Sequence, residues 1–236
     1  MYYENQYTIN NAITCFYLIA CYLSYKYQDR IKAIDNKIMK NVVFIHNINS
    51  IIMNSYIYLY VVYEVLSNSI YLYGNDPRIP YESLNHISYC FYLSKYIDMI
   101  DTVIIILNKN FHQLSFLHVF HHSTMPTLIL YIHKNVPYCG DMWYIVMFNS
   151  LIHIILYYYY LVTSIYGRKA IKWGKNLTTM QLIQFVLCFM QQFASIMTND
   201  LYPNYVRELN LFYSSSMFCL FMNFYLKRYK TIKESS

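Results

Sequence analysis

Residues 113–125, QLSFLHVFHHSTM, decide how this chain is read. His118, His121 and His122 stand at i, i+3 and i+4, so a helix puts all three on one face. The surrounding run, Phe116–His133, is otherwise mostly apolar and close to the length that crosses a bilayer. Ionisable side chains are costly in hydrocarbon and persist there where they face a protein interior or a water-filled cavity. A second cluster, KYIDMIDT at residues 95–102, lies in the apolar run just before. Lys95, Asp98 and Thr102 are spaced i, i+3 and i+7, with Asp101 beside that stripe. Two such clusters in neighbouring apolar runs point to chemistry carried out inside a membrane.

The rest of the chain agrees. It is 57% apolar and only 13% charged, where a soluble domain carries about 25% charged residues. A net charge of +6 is not by itself a nucleic-acid signal. The six cysteines form no CxxC and show no metal spacing, so they read as packing residues. Cys90 and Cys139, both on the expected lumenal side, are one pair that could join as a disulfide. Thirty tyrosines look like compositional drift, so a single Tyr carries little weight on its own. The start, MYYENQYTINN, lacks the basic region of a cleavable signal, and the run after it reads as a retained first span.

Seven runs are expected to span: roughly Thr8–Tyr25, Val42–Leu66, His86–Leu107, Phe116–His133, Tyr144–Thr163, Leu177–Met197 and Leu209–Leu226. Basic residues set their orientation. Lys26, Arg30, Lys32, Lys37, Lys40, Lys109, Arg168, Lys169, Lys172, Lys175, Lys227, Arg228, Lys230 and Lys233 fall on one side. Only Arg78, Lys134 and Arg207 fall on the other, and Lys95 lies within a span. An odd number of spans with a cytosolic C-terminus and a lumenal or external N-terminus follows. The fold expected is all-α and integral to the membrane, as one domain over residues 1–236.

Two later runs also carry polar faces. NSLIHIILYYYY aligns Asn149, His153, Tyr157 and Tyr160, and LTTMQLIQF aligns Thr178, Gln181 and Gln184. With alternating span direction, these residues, the histidines and Lys95–Thr102 all fall at one depth, in the half nearer the basic side. Four helices thus offer polar faces to one chamber with a cytosolic mouth.

At these residues the chain resembles the ELO family of very-long-chain fatty acid elongases, the membrane 3-ketoacyl-CoA synthases. The family's K-x-x-E-x-x-D-T appears as KYIDMIDT, with Asp98 where the family usually has Glu. Its histidine box, its Asn–His–Tyr motif and its T-x-x-Q-x-x-Q motif follow in order between Lys95 and Phe185. The resemblance implies seven transmembrane helices, six of them enclosing an acyl tunnel. It also implies decarboxylative condensation of a fatty acyl-CoA with malonyl-CoA in the endoplasmic reticulum membrane, without a metal or other cofactor. His121 is then the expected acyl acceptor, with Asp98 or a box partner, His118 or His122, orienting it. His153 and Asn149 are expected to stabilise the malonyl-derived enolate, with Lys95, Asp101 and Thr102 completing the catalytic set. Tyr157, Tyr160, Thr178, Gln181 and Gln184 are expected to bind substrate, and Lys109, Arg168, Lys169, Lys172 and Lys175 to face the CoA phosphates. The partners implied are acyl-CoA, malonyl-CoA, membrane lipid and the ketoacyl-CoA reductase, dehydratase and enoyl-CoA reductase of the same cycle. A homodimer is compatible with this reading, and nucleic acid is not expected.

Two other readings remain open. HxxHH also occurs in membrane di-iron desaturases and hydroxylases, but those need several histidine boxes. Here His46, His86, His112, His133 and His153 are isolated in the sequence. A seven-span transporter would use Lys95 and the aspartates as an ion path, yet leaves the histidine triplet beside a basic mouth without a purpose.

Overall fold

The computed structural model describes residues 2–79, 81–136, 140–167, 173–198, 201 and 203–229. Its elements are α1 (Tyr2–Lys26), α2 (Asn36–Ser67), α3 (Glu82–Asp98), α4 (Ile100–Leu107), α5 (Phe116–Asn135), α6 (Trp143–Tyr166), α7 (Gly174–Thr198) and α8 (Asn204–Tyr229). No strand occurs among the described residues. Each of the seven expected runs lies in a helix, and the third is split at Met99 into α3 and α4.

Local chemistry sets the helix starts that matter for the site. The Asp35 carboxylate accepts from the backbone N–H of Lys37 at 2.8 Å and of Ile38 at 3.2 Å, opening α2. Ser115 accepts from the His118 N–H at 3.2 Å and opens α5, so the histidines occupy its first two turns. Pro126 lies inside α5 without ending it, and its missing N–H leaves the His122 carbonyl without its usual helix donor.

Helix contacts close into a ring. α2 packs on α3, α3 on α5, α5 on α8, α8 on α7, α7 on α6, and α6 back on α2, while α1 lies outside against α5. An apolar core around Ile57, Leu84, Phe91 and Leu130 is accompanied by many buried polar side chains and many exposed large apolar ones. Asn10, His46, Asn47, Ser50, Asn54, Lys95, Asp98, Asn149 and Gln192 are buried, whereas Phe16, Leu66, Phe116, Met197 and Phe212 are exposed. Apolar side chains outward and polar ones inward is the arrangement that suits lipid as the surrounding solvent. By length and composition alone, two helices are apolar enough to cross a membrane: Gly140–Tyr166 and Gly174–Thr198. The break at Met99 leaves α3 and α4 too short for that standard, and the histidines pull α5 below it. α1, α2 and α8 also fall below it, because they are rich in Asn and Tyr.

The end of the ring away from the basic loops is tied by a knot that the motifs do not announce. Asp141, fully buried, accepts from the backbone of Gly74 (3.1 Å) and Asn75 (2.9 Å), from the Asn75 amide (2.8 Å) and from the Ser195 hydroxyl (2.6 Å). Gln191 donates to the carbonyls of Leu72 (3.0 Å) and Asp141 (3.1 Å), and buried Arg207 donates to the Ser195 carbonyl. Loop α2–α3, the turn that leads into α6, α7 and α8 are thereby joined at one end.

Candidate functional site

The break at Met99 builds the centre of the site. Met99 and Thr102 close backbone bonds to the third residue before them, Tyr96 and Met99, at 3.2 and 3.1 Å. In such a tightened 3-10 step, side chains three apart eclipse one another. Asp98 and Asp101, three residues apart, present their carboxylates to the same partner. That partner is Tyr157 of α6, whose hydroxyl lies 2.9 Å from Asp98 Oδ1 and 2.8 Å from Asp101 Oδ2.

Lys95 Nζ bonds Asp98 Oδ2 at 3.0 Å and Asn149 Oδ1 at 2.9 Å, and lies 4.4 Å from the centroid of the Phe91 ring. An ammonium only donates, so the Asn149 atom facing it is the carbonyl oxygen, and no side chain among the described residues accepts from the Asn149 amide nitrogen. Its two protons are available to a ligand. His153 bonds the Asn149 backbone carbonyl through Nδ1 at 2.8 Å. A carbonyl only accepts, so Nδ1 carries the proton and Nε2 of the neutral ring is bare, 3.6 Å from Asp98 Oδ2.

The histidine box closes the other wall. His118 Nε2 is 2.7 Å from the Thr102 hydroxyl, which is 3.0 Å from the Tyr17 hydroxyl of α1. His118 and His122 lie ring to ring with centroids 4.3 Å apart, and His121 meets His122 edge-on at 5.2 Å. His121 and His122 lie within electrostatic reach of Lys95, Asp98 and His153. Among the described residues neither has a hydrogen bond to its ring nitrogens, so both remain free to meet a substrate.

The ten residues Lys95, Asp98, Asp101, Thr102, His118, His121, His122, Asn149, His153 and Tyr157 are thus brought together. Asp98 reaches Lys95 and Tyr157 directly despite being one methylene shorter than Glu. Tyr160 is 40% exposed, its ring centroid 6.1 Å from that of Tyr157. Thr178 bonds its own helix at the Gly174 carbonyl (3.3 Å). Gln181 and Gln184 of the same helix share no hydrogen bond with the Lys95 network among the described residues. Lys109 and Lys175 are exposed at the basic end, Lys175 lying 5.7 Å from the Tyr225 ring centroid. Arg168, Lys169 and Lys172, and Cys139 of the suggested disulfide, lie outside the described residues.

One reading has to be corrected. His46, isolated in the sequence, is not isolated in space: its Nε2 lies 2.9 Å from Asp101 Oδ1, and its ring meets Tyr157 edge-on at 5.5 Å. The signal was present in IHNINSIIMNS, which puts His46, Ser50 and Asn54 on one face of α2, next to Asn47, and all four are buried. Above them, Asn36, Met39, Lys40, Val43, Asn108 and Ser164 line a recess of about 220 Å³ at the basic end. Among the described residues no group of three or more His, Cys, Asp or Glu side chains is arranged to hold a metal ion.

Across residues 2–236 the chain matches the family model described as ELO: GNS1/SUR4 family. The chain belongs to the ELO family. It is 28% identical over 223 residues to very long chain fatty acid elongase 5 of Tachysurus fulvidraco, covering 93% of this chain and 74% of that protein. The protein of the same name from Mus musculus is 30% identical over 217 residues, covering 90% of this chain and 71% of its own length. In Bos taurus the identity rises to 36% over 140 residues, 59% of this chain and 46% of the relative. An ELO-family chain with lipid-facing apolar helices and an inward polar site is a membrane protein.

Proposed function

We propose that this chain is a 3-ketoacyl-CoA synthase of fatty acid elongation. It condenses a fatty acyl-CoA with malonyl-CoA, releasing CoA and carbon dioxide and leaving a 3-ketoacyl-CoA two carbons longer. The observation that carries this reading is the convergence of Lys95, Asp98, Asn149, His153 and Tyr157 on the face occupied by His118, His121 and His122, in a chain of this family.

Each residue has a role its geometry supports. His121, with unengaged ring nitrogens, attacks the acyl thioester and carries the acyl group as an acyl-imidazole. Lys95 is held by Asp98 and Asn149, so it presets the field of the site and turns the Asn149 amide protons toward the substrate. The Asn149 amide, and His153 once it carries a proton on Nε2, donate to the oxygen on which charge builds as malonyl-CoA loses carbon dioxide. Thr102 and Tyr17 hold His118, which packs on His122 and keeps the box in register. The recess beside Lys40 and Asn108 receives the CoA moiety from the cytosolic side, and the acyl tail runs inside the helix ring, away from the basic loops. The work is done at the endoplasmic reticulum membrane, where the reductases and dehydratase of the cycle take up the product.

The acyl-enzyme is the discriminating intermediate. Purified protein mixed with acyl-CoA alone, quenched and digested, should yield a peptide bearing His121 heavier by one acyl group, and addition of malonyl-CoA should discharge it. Condensation activity without such an adduct would show direct attack on the thioester instead.

A further inference from the structure

The proposed reaction has a proton requirement that the buried site must meet. Attack by His121 forms a C–N bond as the thioester C–S bond breaks, and the proton of the other ring nitrogen leaves with the thiolate. Decarboxylation breaks a C–C bond of the malonyl group and leaves its electron pair in the enolate. The enolate carbon then bonds the acyl carbonyl, the C–N bond breaks, and the released imidazole lacks one proton. Summed, acyl-CoA and malonyl-CoA become 3-ketoacyl-CoA, CoA and carbon dioxide with uptake of one proton per turnover. That proton must reach a site whose Lys95 and Asp98 side chains are only 2% and 3% exposed.

We infer that Asp101 and Tyr157 form the inlet of a proton path from the basic end of the helix ring to the Asp98–His153 centre, and that His46 is the positioning residue that holds the inlet in line. The argument rests on the elongase reading and on an unbroken series of contacts. His46 Nε2 lies 2.9 Å from Asp101 Oδ1, Asp101 Oδ2 lies 2.8 Å from the Tyr157 hydroxyl, and that hydroxyl lies 2.9 Å from Asp98 Oδ1. Asp98 Oδ2 then faces His153 Nε2 at 3.6 Å, and the released His121 imidazole, within electrostatic reach of both, regains its proton from that centre.

Proton counting gives the series its direction. The Tyr157 hydroxyl has one proton and two carboxylates at bonding distance, so it donates to only one of them. When Asp101 carries a proton, it donates to Tyr157 and Tyr157 donates to Asp98, and a shift along both bonds delivers a proton to Asp98 without any group leaving its place. Asp101 is the wet member: its side chain is 19% exposed, against 3% for Asp98 and 4% for His46. The recess lined by Lys40, Val43, Asn108 and Ser164 lies above it. Asn108 and Ser164 are two helical turns from Asp101 and Tyr157, about 10 Å of rise. His46 occupies the other oxygen of Asp101, which fixes Oδ2 on Tyr157. Without it, a carboxylate on the short α4 rotates free of the hydroxyl.

The test uses the full chain in liposomes, measuring condensation with enzyme in excess, in water and in deuterium oxide. The variants are Asp101→Asn, which keeps the shape and both hydrogen bonds but passes no proton, His46→Leu and His46→Gln, whose amide still donates. Asp101→Asn and His46→Leu should each lose about 10- to 100-fold in the condensation step with KM for malonyl-CoA within about 3-fold. His46→Leu should show a larger solvent isotope effect than wild type, and His46→Gln should recover most of the rate. Asp101→Asn at wild-type rate, or His46→Gln as slow as His46→Leu with an unchanged isotope effect, would overturn the path and leave the elongase reading standing. Absence of any 3-ketoacyl-CoA from the wild-type protein would overturn that reading itself.

Discussion

Replacing Lys95 by Met removes an ammonium that is 2% exposed and leaves Asp98, 3% exposed, in the same dry place. Asp98 keeps the Tyr157 hydroxyl at 2.9 Å but loses its charged donor at 3.0 Å. Removing one member of a buried pair costs about 3–5 kcal/mol, because the remaining charge stays desolvated without its counter-ion. Asp98→Leu strands the ammonium instead, with Asn149 and the Phe91 face as its remaining company, at a similar cost. In the double variant no charge is left in this pair, and the residual cost is the Asn149 oxygen without its donor, about 1–3 kcal/mol. The sum of the single effects then exceeds the double effect by at least about 3 kcal/mol. Denaturant unfolding of the four proteins in mixed micelles, followed by helical signal, measures the difference. Single effects that add to the double within about 0.5 kcal/mol would refute the claim that these two side chains are energetically one unit.

Asp98→Glu restores the residue usual in the family but forces a methylene into a filled site where Asp98 already reaches both partners. It should lower stability by about 1–3 kcal/mol in the same unfolding assay, and a variant at least as stable as wild type would show spare room around the carboxylate. Asp141→Ala should cost about 3–5 kcal/mol by leaving the buried donors of Gly74, Asn75 and Ser195 without their acceptor, yet leave the rate per folded molecule unchanged. A fall in that rate, by active-site titration, would tie the far end of the ring to the chemistry. Lys40→Glu at the basic recess should raise KM for acyl-CoA about 3-fold or more, with the effect shrinking at high salt. An unchanged KM would place the CoA phosphates elsewhere.

Much of this was legible in the sequence because membrane spans advertise their length and their misfits. The histidine box, KYIDMIDT and the Asn149–His153–Tyr157 stripe each obey a helical period, and the structure brings them face to face. Two things were hidden for physical reasons. The spacing puts Asp101 three residues after Asp98, but nothing local shows that both carboxylates meet one hydroxyl of a different helix, that of Tyr157. His46 lies 55 residues before Asp101, and no spacing rule within one helix links a residue of α2 to one of α4. Its polar companions Asn47, Ser50 and Asn54 were the available clue. Tyr157 was legible as a member of the Asn149–His153 stripe and read as a substrate contact, whereas its burial between two carboxylates of another segment depends on tertiary packing.

The most direct test of the account is malonyl-CoA condensation by the purified protein in liposomes across a series of acyl-CoA lengths, without NADPH, with products identified by mass and His121→Ala in parallel. The account predicts a 3-ketoacyl-CoA two carbons longer than the substrate, absent in the variant. A folded, monodisperse wild-type sample that yields no such product at any length, or a His121→Ala protein that matches wild type, would contradict it.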